Sequence, residues 1–438
     1  MSRIVMFVFN DMTMDSRVRR EAASLAAAGH QVTVMARPRQ VVARIGDRES
    51  LDGFEIVRVP VPGGWRRPWR LASTPGRVVA AVVRRVRPAD RSASGRREGG
   101  ALDQMVKWRF AVLGWARAAA DAAPVADVYH GHDLSGLPAA VRAAGRCGGR
   151  VVYDSHEYFV ESGANARLPG WLKRRLARFE RQTASGIWAL VTVNATLATL
   201  LGDRLSIDRR VVVYNCPPRW SPAAPVTGVA RAAAGVGLRE TIGVGPDVGV
   251  VIYHGGFLAD RGLLPLADAL AEPGMATTHL VYLGFGRLRD VLAARARDPR
   301  AGGRIHVLEP VPMDALVAMV SEADVAAMPN LPVNENERLS TPNKLFESIA
   351  AGVPVVTSDF PERHRIVIDD PAGPLGAVCD PADPASIARA IRSILDLDPA
   401  GRAALRARCL TAAHERWNWE TESAKLLALY AEPSPAGP

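Results

Sequence analysis

A chain of 438 residues, 48% of them hydrophobic, is long enough for two domains with substantial cores. No apolar run approaches the roughly 20 residues that a membrane-spanning helix needs. The formal net charge is +10, and the stretch 65–117 alone holds 13 Lys or Arg against 3 Asp or Glu, so the whole excess sits there and the rest is balanced.

The N-terminal "MSRIVMFVFNDMTMDSR" has a brief apolar run, but Asn10 and Asp11 interrupt it and no small-residue cleavage site follows. It reads as a first strand. "DSRVRREAASLAAAGH" reads as a helix with Asp15 as cap and Gly29 past its end, and "QVTVMA" as a second strand. The basic stretch 65–117 contains "GGWRRPWRL" and "GRVVAAVVRRVR". The latter has helical spacing of Val78, Val79, Val82, Val83 and Val86, with Arg84, Arg85 and Arg87 toward water. Such a helix could rest on an anionic membrane; the plainer reading is a solvated insertion whose valines pack on the first domain. Then come the strands "ADVYHG", "GRVVYDS" and "WALVTV" with helical sequence between, the pattern of a parallel α/β sheet.

"NCPPRWSPAAPVTG" is Pro-rich and aperiodic, and reads as a linker. The alternation restarts with "VGVVIYHGG", "THLVYLGFG", "RIHVLEP", "ADVAAMP" and "VPVVTS". The expected class is α/β: two doubly wound, Rossmann-like domains facing a cleft. Their expected limits are 1–215, a linker at 216–240, and 241–415, with a final helix at 416–432 packing back on the first domain. Cys147, Cys216, Cys379 and Cys409 are far apart, with neither metal-ligand nor redox spacing, so a reducing, cytoplasmic setting is expected.

Two stretches of the second half point to an anion. In "LSTPNKLFESIAAGVPVV", Ser or Thr reads as a helix cap and Pro342 as the first helical residue. Lys344 then falls in the first turn, where the helix dipole disfavours a cation unless an anion is bound. Lys344, Glu347, Ser348 and Ala351 share one face, and Leu345, Phe346, Ile349 and Ala350 the other. A carboxylate one turn below a phosphate suits a vicinal diol such as ribose. In "YHGGFLADRGLLPLADAL", Gly255 and Gly256 end a strand, and Arg261 and Gly262 precede a helix, a second phosphate-compatible turn. The glycine spacing is neither that of a dinucleotide fingerprint nor that of a P-loop.

In the first half, "YHGHDLSGLPAA" and "VVYDSHEYF" place His130, His132, Asp133, Asp154, His156 and Glu157 at strand ends. Helix capping is the plain alternative for Asp133 and Asp154. A metal site is conceivable, but the spacing is not that of a helical zinc motif.

Taken together these stretches resemble a family 4 glycosyltransferase of the GT-B fold. "DSRVRREAASLAAAGHQVTVMA" resembles its first βαβ unit. "VYDSHE" resembles the strand end that carries an active-site histidine, matching His156. "HGGFLADRGL" resembles the donor-phosphate loop, and "LSTPNKLFESIAAGVPVVTSD" the signature helix whose Glu, matching Glu347, holds the nucleotide ribose. The resemblance implies retaining glycosyl transfer from a nucleoside diphosphate sugar, UDP-sugars first, to an acceptor that no motif identifies. His156, Arg261 and Lys344 would act at the reaction centre. Gly255, Gly256, Arg261, Val311, Ser340, Thr341, Asn343, Lys344 and Glu347 would bind the donor, and Asn10, Asp15, His132, Asp133 and Glu157 would lie on the acceptor side. Two fixed cations leave no need for a metal, no cofactor is implied, and nucleic acid is not expected as a partner. The location implied is cytoplasmic, with anionic-membrane contact through 65–117 the one peripheral option. Two departures stand out: Leu339 replaces a Glu eight residues before Glu347, and Phe257 stands where Arg is common. A sugar-nucleotide epimerase of the same fold, or a nucleotide-sugar-binding subunit without turnover, would share most of these features.

Overall fold

The computed structural model describes residues 1–13, 15–38, 48–62, 105, 107–221 and 237–432. The chain divides into two compact units. One comprises Met1–Thr192, Leu197–Val212 and Leu426–Pro438; the other comprises Val193–Thr196 and Val213–Lys425.

The first unit is built on eight strands: β1 (Arg3–Phe7), β2 (Gln31–Ala36), β3 (Arg48–Leu51), β4 (Phe54–Arg58), β5 (Val128–His132), β6 (Arg150–Ser155), β7 (Ala189–Thr192) and β8 (Arg210–Val212). Their order is β3-β4-β2-β1-β5-β6-β7-β8. All pairs are parallel except β3–β4, a hairpin turning on Asp52 and Gly53, both at positive φ. That short edge hairpin carries no strong apolar run and goes unmarked in the sequence. The central strands are apolar along most of their length because helices cover both faces. The core gathers Val5, Phe7, Trp115, Tyr129, Leu137, Tyr153 and Leu190. As expected, Asp15 caps the helix Ser16–Ala27, accepting from the Val18 amide at 3.1 Å, and Gly29 follows that helix at φ 88°.

The second unit has six parallel strands: β9 (Val250–Gly256), β10 (His279–Phe285), β11 (Ile305–Leu308), β12 (Val325–Met328), β13 (Val355–Ser358) and β14 (Gly376–Cys379). Their order is β11-β10-β9-β12-β13-β14. The order reverses between β9 and β12, and ligands of open α/β sheets sit outside the strand ends at such a point. In the first unit the equivalent reversal lies between β1 and β5.

The linker expected at 216–240 is described only in part, and its last residues enter the helix Leu238–Ile242. The valine- and arginine-bearing helix expected near 76–87 lies outside the described residues. Of the basic stretch, Lys107–Val112 forms a π-helical turn leading into the helix Leu113–Ala122. The final helix, Trp419–Ala431, brings Tyr430 into the first unit, where its hydroxyl lies 2.6 Å from His130 Nδ1. Among the described residues no helix is long and apolar enough to cross a membrane.

Candidate active site

At the switch point of the second unit, β9 closes on Gly255 and Gly256, and the Gly255 φ of +115° lies where side chains are strained. A Cβ there would sit 3.3 Å from Lys344 Cε and 3.5 Å from its Nζ. The glycine thus lets the lysine fold over the strand end. Lys344 Nζ donates to the Tyr253 hydroxyl at 3.0 Å and lies 4.5 Å from the ring centroid. Gly262, at φ +65°, closes the following turn against Pro329, with no room for a Cβ.

Lys344 is the second residue of the helix Asn343–Ala350. The structure corrects the expected cap: Pro342 itself occupies the cap position, and no side chain caps this end. Ser340 donates instead to the Glu337 carbonyl, and Thr341 to the Val193 carbonyl. An uncapped helix start with a lysine on it favours an anion. Burial, then the Arg261 charge, push the Lys344 ammonium down to about 7. The lysine keeps part of its surface exposed and so remains within reach of a ligand.

Arg261 holds both Glu337 oxygens, at 2.9 and 3.0 Å. The same carboxylate accepts from Asn330 and, at 3.0 Å, from Arg363, which is fully buried over the Phe360 ring. Burial works against the Glu337 charge, but Arg261 and Arg363 outweigh it and hold the carboxyl below its ordinary range. Glu337 is therefore the counter-ion that orders Arg261, a role the sequence reading did not assign. Its sequence signal is slight: the side chain comes from the short helix Glu335–Leu339 and meets partners 76 and 26 positions away. Leu339 is buried and apolar, and Phe257 is buried among Tyr253 and Tyr282.

Glu347 Oε2 lies 3.5 Å from His254 Nδ1, while His254 Nε2 lies 3.2 Å from Ser348 Oγ. Burial and then Lys344 drive His254 down to about 3, so this histidine is neutral and serves to orient the carboxylate. Gly256 accepts from the Tyr253 hydroxyl. Asn343 is exposed at the helix start, and Val311 lies in the loop after β11, the outermost strand of this sheet.

The first unit carries a separate polar cluster. Arg17 grips Asp154 through two hydrogen bonds, at 2.9 and 3.1 Å, and lies 2.9 Å from Glu21. His156 Nε2 lies 3.1 Å from Asp154 Oδ2 and 3.2 Å from His132 Nδ1; its Nδ1 is 3.4 Å from Asp133. Burial opposes charge on His156, but Asp133 and Asp154 outweigh it and raise the imidazolium to about 10. His156 is thus a hydrogen-bond donor at neutral pH. His132 goes the other way, lowered to about 3 by burial and by His130.

Neither acid caps a helix here. Asp133 sits at φ 53° and accepts from the His156 amide at 3.0 Å, while Asp154 is the centre of the ion-pair cluster. Asn10 donates to Asp15 at 2.7 Å and fixes the loop after β1. Glu157 accepts from Ser162 at 2.6 Å.

Donor atoms of Glu21, His130, His132 and Asp154 lie within 4.8 Å of one another, a spacing that would admit a cation. The Arg17 guanidinium already fills that place electrostatically, and burial followed by Asp154 raises Glu21 toward its neutral form. Charge in the cluster balances on side chains, so its residues do not fit a metal well. Asp396 and Asp398 are helix caps: the first ends the helix Pro384–Leu395, and the second opens the helix Pro399–Glu415.

Two family models match along the chain: a glycosyl transferase 4-like domain over residues 13–218 and glycosyl transferases group 1 over 249–397. The chain belongs to the family 4 glycosyltransferases, enzymes of the GT-B fold. It is 28% identical over 325 residues to a glycogen synthase of Mycobacterium tuberculosis, a match covering 69% of this chain and 68% of that protein. Among solved structures it is similar to a sucrose-phosphate synthase of Thermosynechococcus elongatus, with TM-score 0.69, 17% identity and 98% of each chain covered. It is also similar to Anabaena HepE in complex with UDP-glucose, with TM-score 0.62, 13% identity, and 98% of this chain and 100% of that one covered.

Proposed function

We propose that this glycosyltransferase takes its sugar from a nucleoside diphosphate sugar, UDP-sugars first, and transfers it with retention of configuration. The observation that carries the reading is the pairing of Lys344, over the Gly255 strand end at an uncapped helix start, with Arg261 on the neighbouring turn. Both belong to one unit and suit a diphosphate. Glu347, one turn further along and oriented by His254, suits the ribose hydroxyls. The UDP-glucose bound to the HepE structure, a protein of the same fold, supports the choice of nucleotide.

In this reading the bond between the anomeric carbon and the β-phosphate oxygen breaks, and its electron pair passes to the phosphate. Lys344, Arg261 and the helix start stabilise that charge; one such preorganised donor lowers a barrier by about 3 kcal/mol. The acceptor hydroxyl attacks from the face the phosphate leaves, and its proton passes to the departing phosphate oxygen. His156, held as an imidazolium at neutral pH between Asp133 and Asp154, offers no free base. That suits a route in which the leaving group, rather than the histidine, takes the proton.

NMR of the product anomeric proton tests the reading. An α-linked UDP-sugar should give an α-linked product, with no change of donor when the acceptor is left out. A β-linked product would overturn retention, and acceptor-independent conversion of the donor would indicate an epimerase instead.

A further inference from the structure

The first unit contains a cavity of about 570 Å³ that the donor chemistry does not use. Its walls are apolar, chiefly Phe9, Trp108, Phe159, Leu172, Leu176 and Phe179. The Trp108 ring meets Phe159 at 5.5 Å and Phe179 at 5.8 Å, so one wall is an aromatic corner. The volume falls within the range of small-molecule sites.

Its position gives it a role. Phe9 follows β1, Ser135 lies in the first turn after β5, and Glu157 follows β6, so the cavity opens along the carboxyl ends of the three central strands. Glu157 is the neighbour of His156 in sequence. Two cations, Arg109 and Arg175, also line the cavity, both on its exposed side. Arg175 belongs to the helix Gly170–Thr183, which turns Leu172, Leu176 and Phe179 into the cavity while Arg174 and Arg178 stay exposed.

We propose that the acceptor is an anionic amphiphile, its hydrocarbon or aromatic body in this cavity and its anionic group on Arg109 and Arg175. A free sugar or polyol would leave such walls wet. A neutral lipid would leave the two arginines without a partner from the ligand. This rests on the transferase reading above but concerns the other substrate and the other unit.

The test uses the full chain and three probes: 1-decylglycerol 3-phosphate, glycerol 3-phosphate without the chain, and decylglycerol without the phosphate. The first should bind at least about a hundredfold more tightly than the second, since each buried methylene contributes several-fold. Leu172→Trp, which fills the cavity, should lower that affinity at least about tenfold. Arg109→Gln combined with Arg175→Gln should weaken the phosphate-bearing probe and leave decylglycerol unchanged. Both arginines are exposed, so this variant is expected to fold even if Leu172→Trp does not. Presenting the first probe as a monomer or within neutral vesicles identifies a soluble or a membrane-borne source. Equal binding of the two glycerol phosphates in both presentations, or no response to either variant, would overturn the proposal. UDP titration of the same samples keeps the two readings apart: intact UDP binding with no amphiphile preference refutes only the acceptor assignment.

Discussion

Lys344→Ala is expected to lower kcat by about 100- to 1,000-fold, the loss of one preorganised donor at a developing phosphate charge. The same change should leave thermal stability unchanged or raise it. In the folded chain burial depresses the Lys344 value from 10.5 to about 7, so charging this group opposes folding. For a base lowered in this way, the cost is full below pH 7 and disappears as pH rises toward the unfolded value of 10.5. The variant's advantage in Tm should therefore be greatest below pH 7 and fade at alkaline pH. Steady-state kinetics at saturating donor, paired with thermal unfolding across pH, separates the two effects. Full turnover in the variant would remove Lys344 from the mechanism. A loss of stability that grows on acidification would contradict its desolvated state.

Glu337→Gln carries the second large effect. The substitution keeps the shape of the side chain but removes the only negative charge among the described contacts of Arg363, and one that Arg261 also holds. Breaking a buried ion pair from one side costs about 3–5 kcal/mol, because the partner charge stays buried. The Glu337 carboxyl is depressed in the folded state, so its contribution is present above the ordinary glutamate value and is lost as pH falls through the lowered one. Urea unfolding at pH 7, followed as the transition that bound UDP shifts, should show the full deficit, and wild type and variant should converge in acid. Equal midpoints at pH 7 would mean that the Arg261–Glu337–Arg363 cluster contributes nothing to the fold.

The legible part of this protein is its local part. Strand-to-helix alternation marked the central strands of both sheets, since buried parallel strands read as apolar runs. The turn at Gly255–Gly256 and the helix at Asn343 were legible because phosphate-type sites are made from consecutive residues at a strand end or helix start. The cap of that helix was misread because "STP" satisfies the usual preference, whereas the chain uses the Ser340 and Thr341 hydroxyls elsewhere.

What sequence concealed is long-range. Arg17 and Asp154 are 137 positions apart, and His130 and Tyr430 are 300 apart. No periodicity records such pairings. The role of Glu337 is hidden similarly, because only the fold brings Arg261 and Arg363 to it. The protonation of His156 also needs three dimensions, because its two carboxylate partners come from the end of its own strand and from the helix after the neighbouring one.

The central claim, that Lys344 and Glu347 hold a nucleoside diphosphate, is tested most directly by calorimetric titration of UDP at pH 8 in two buffers of different ionisation enthalpy. An anion beside Lys344 must restore its proton, so saturable binding should be accompanied by uptake of about one proton. Lys344→Ala should lose both the affinity and the uptake. Glu347→Gln should keep the uptake with inorganic pyrophosphate while losing much of the affinity for UDP. Binding of UDP with no proton uptake and no response to either substitution would contradict the account.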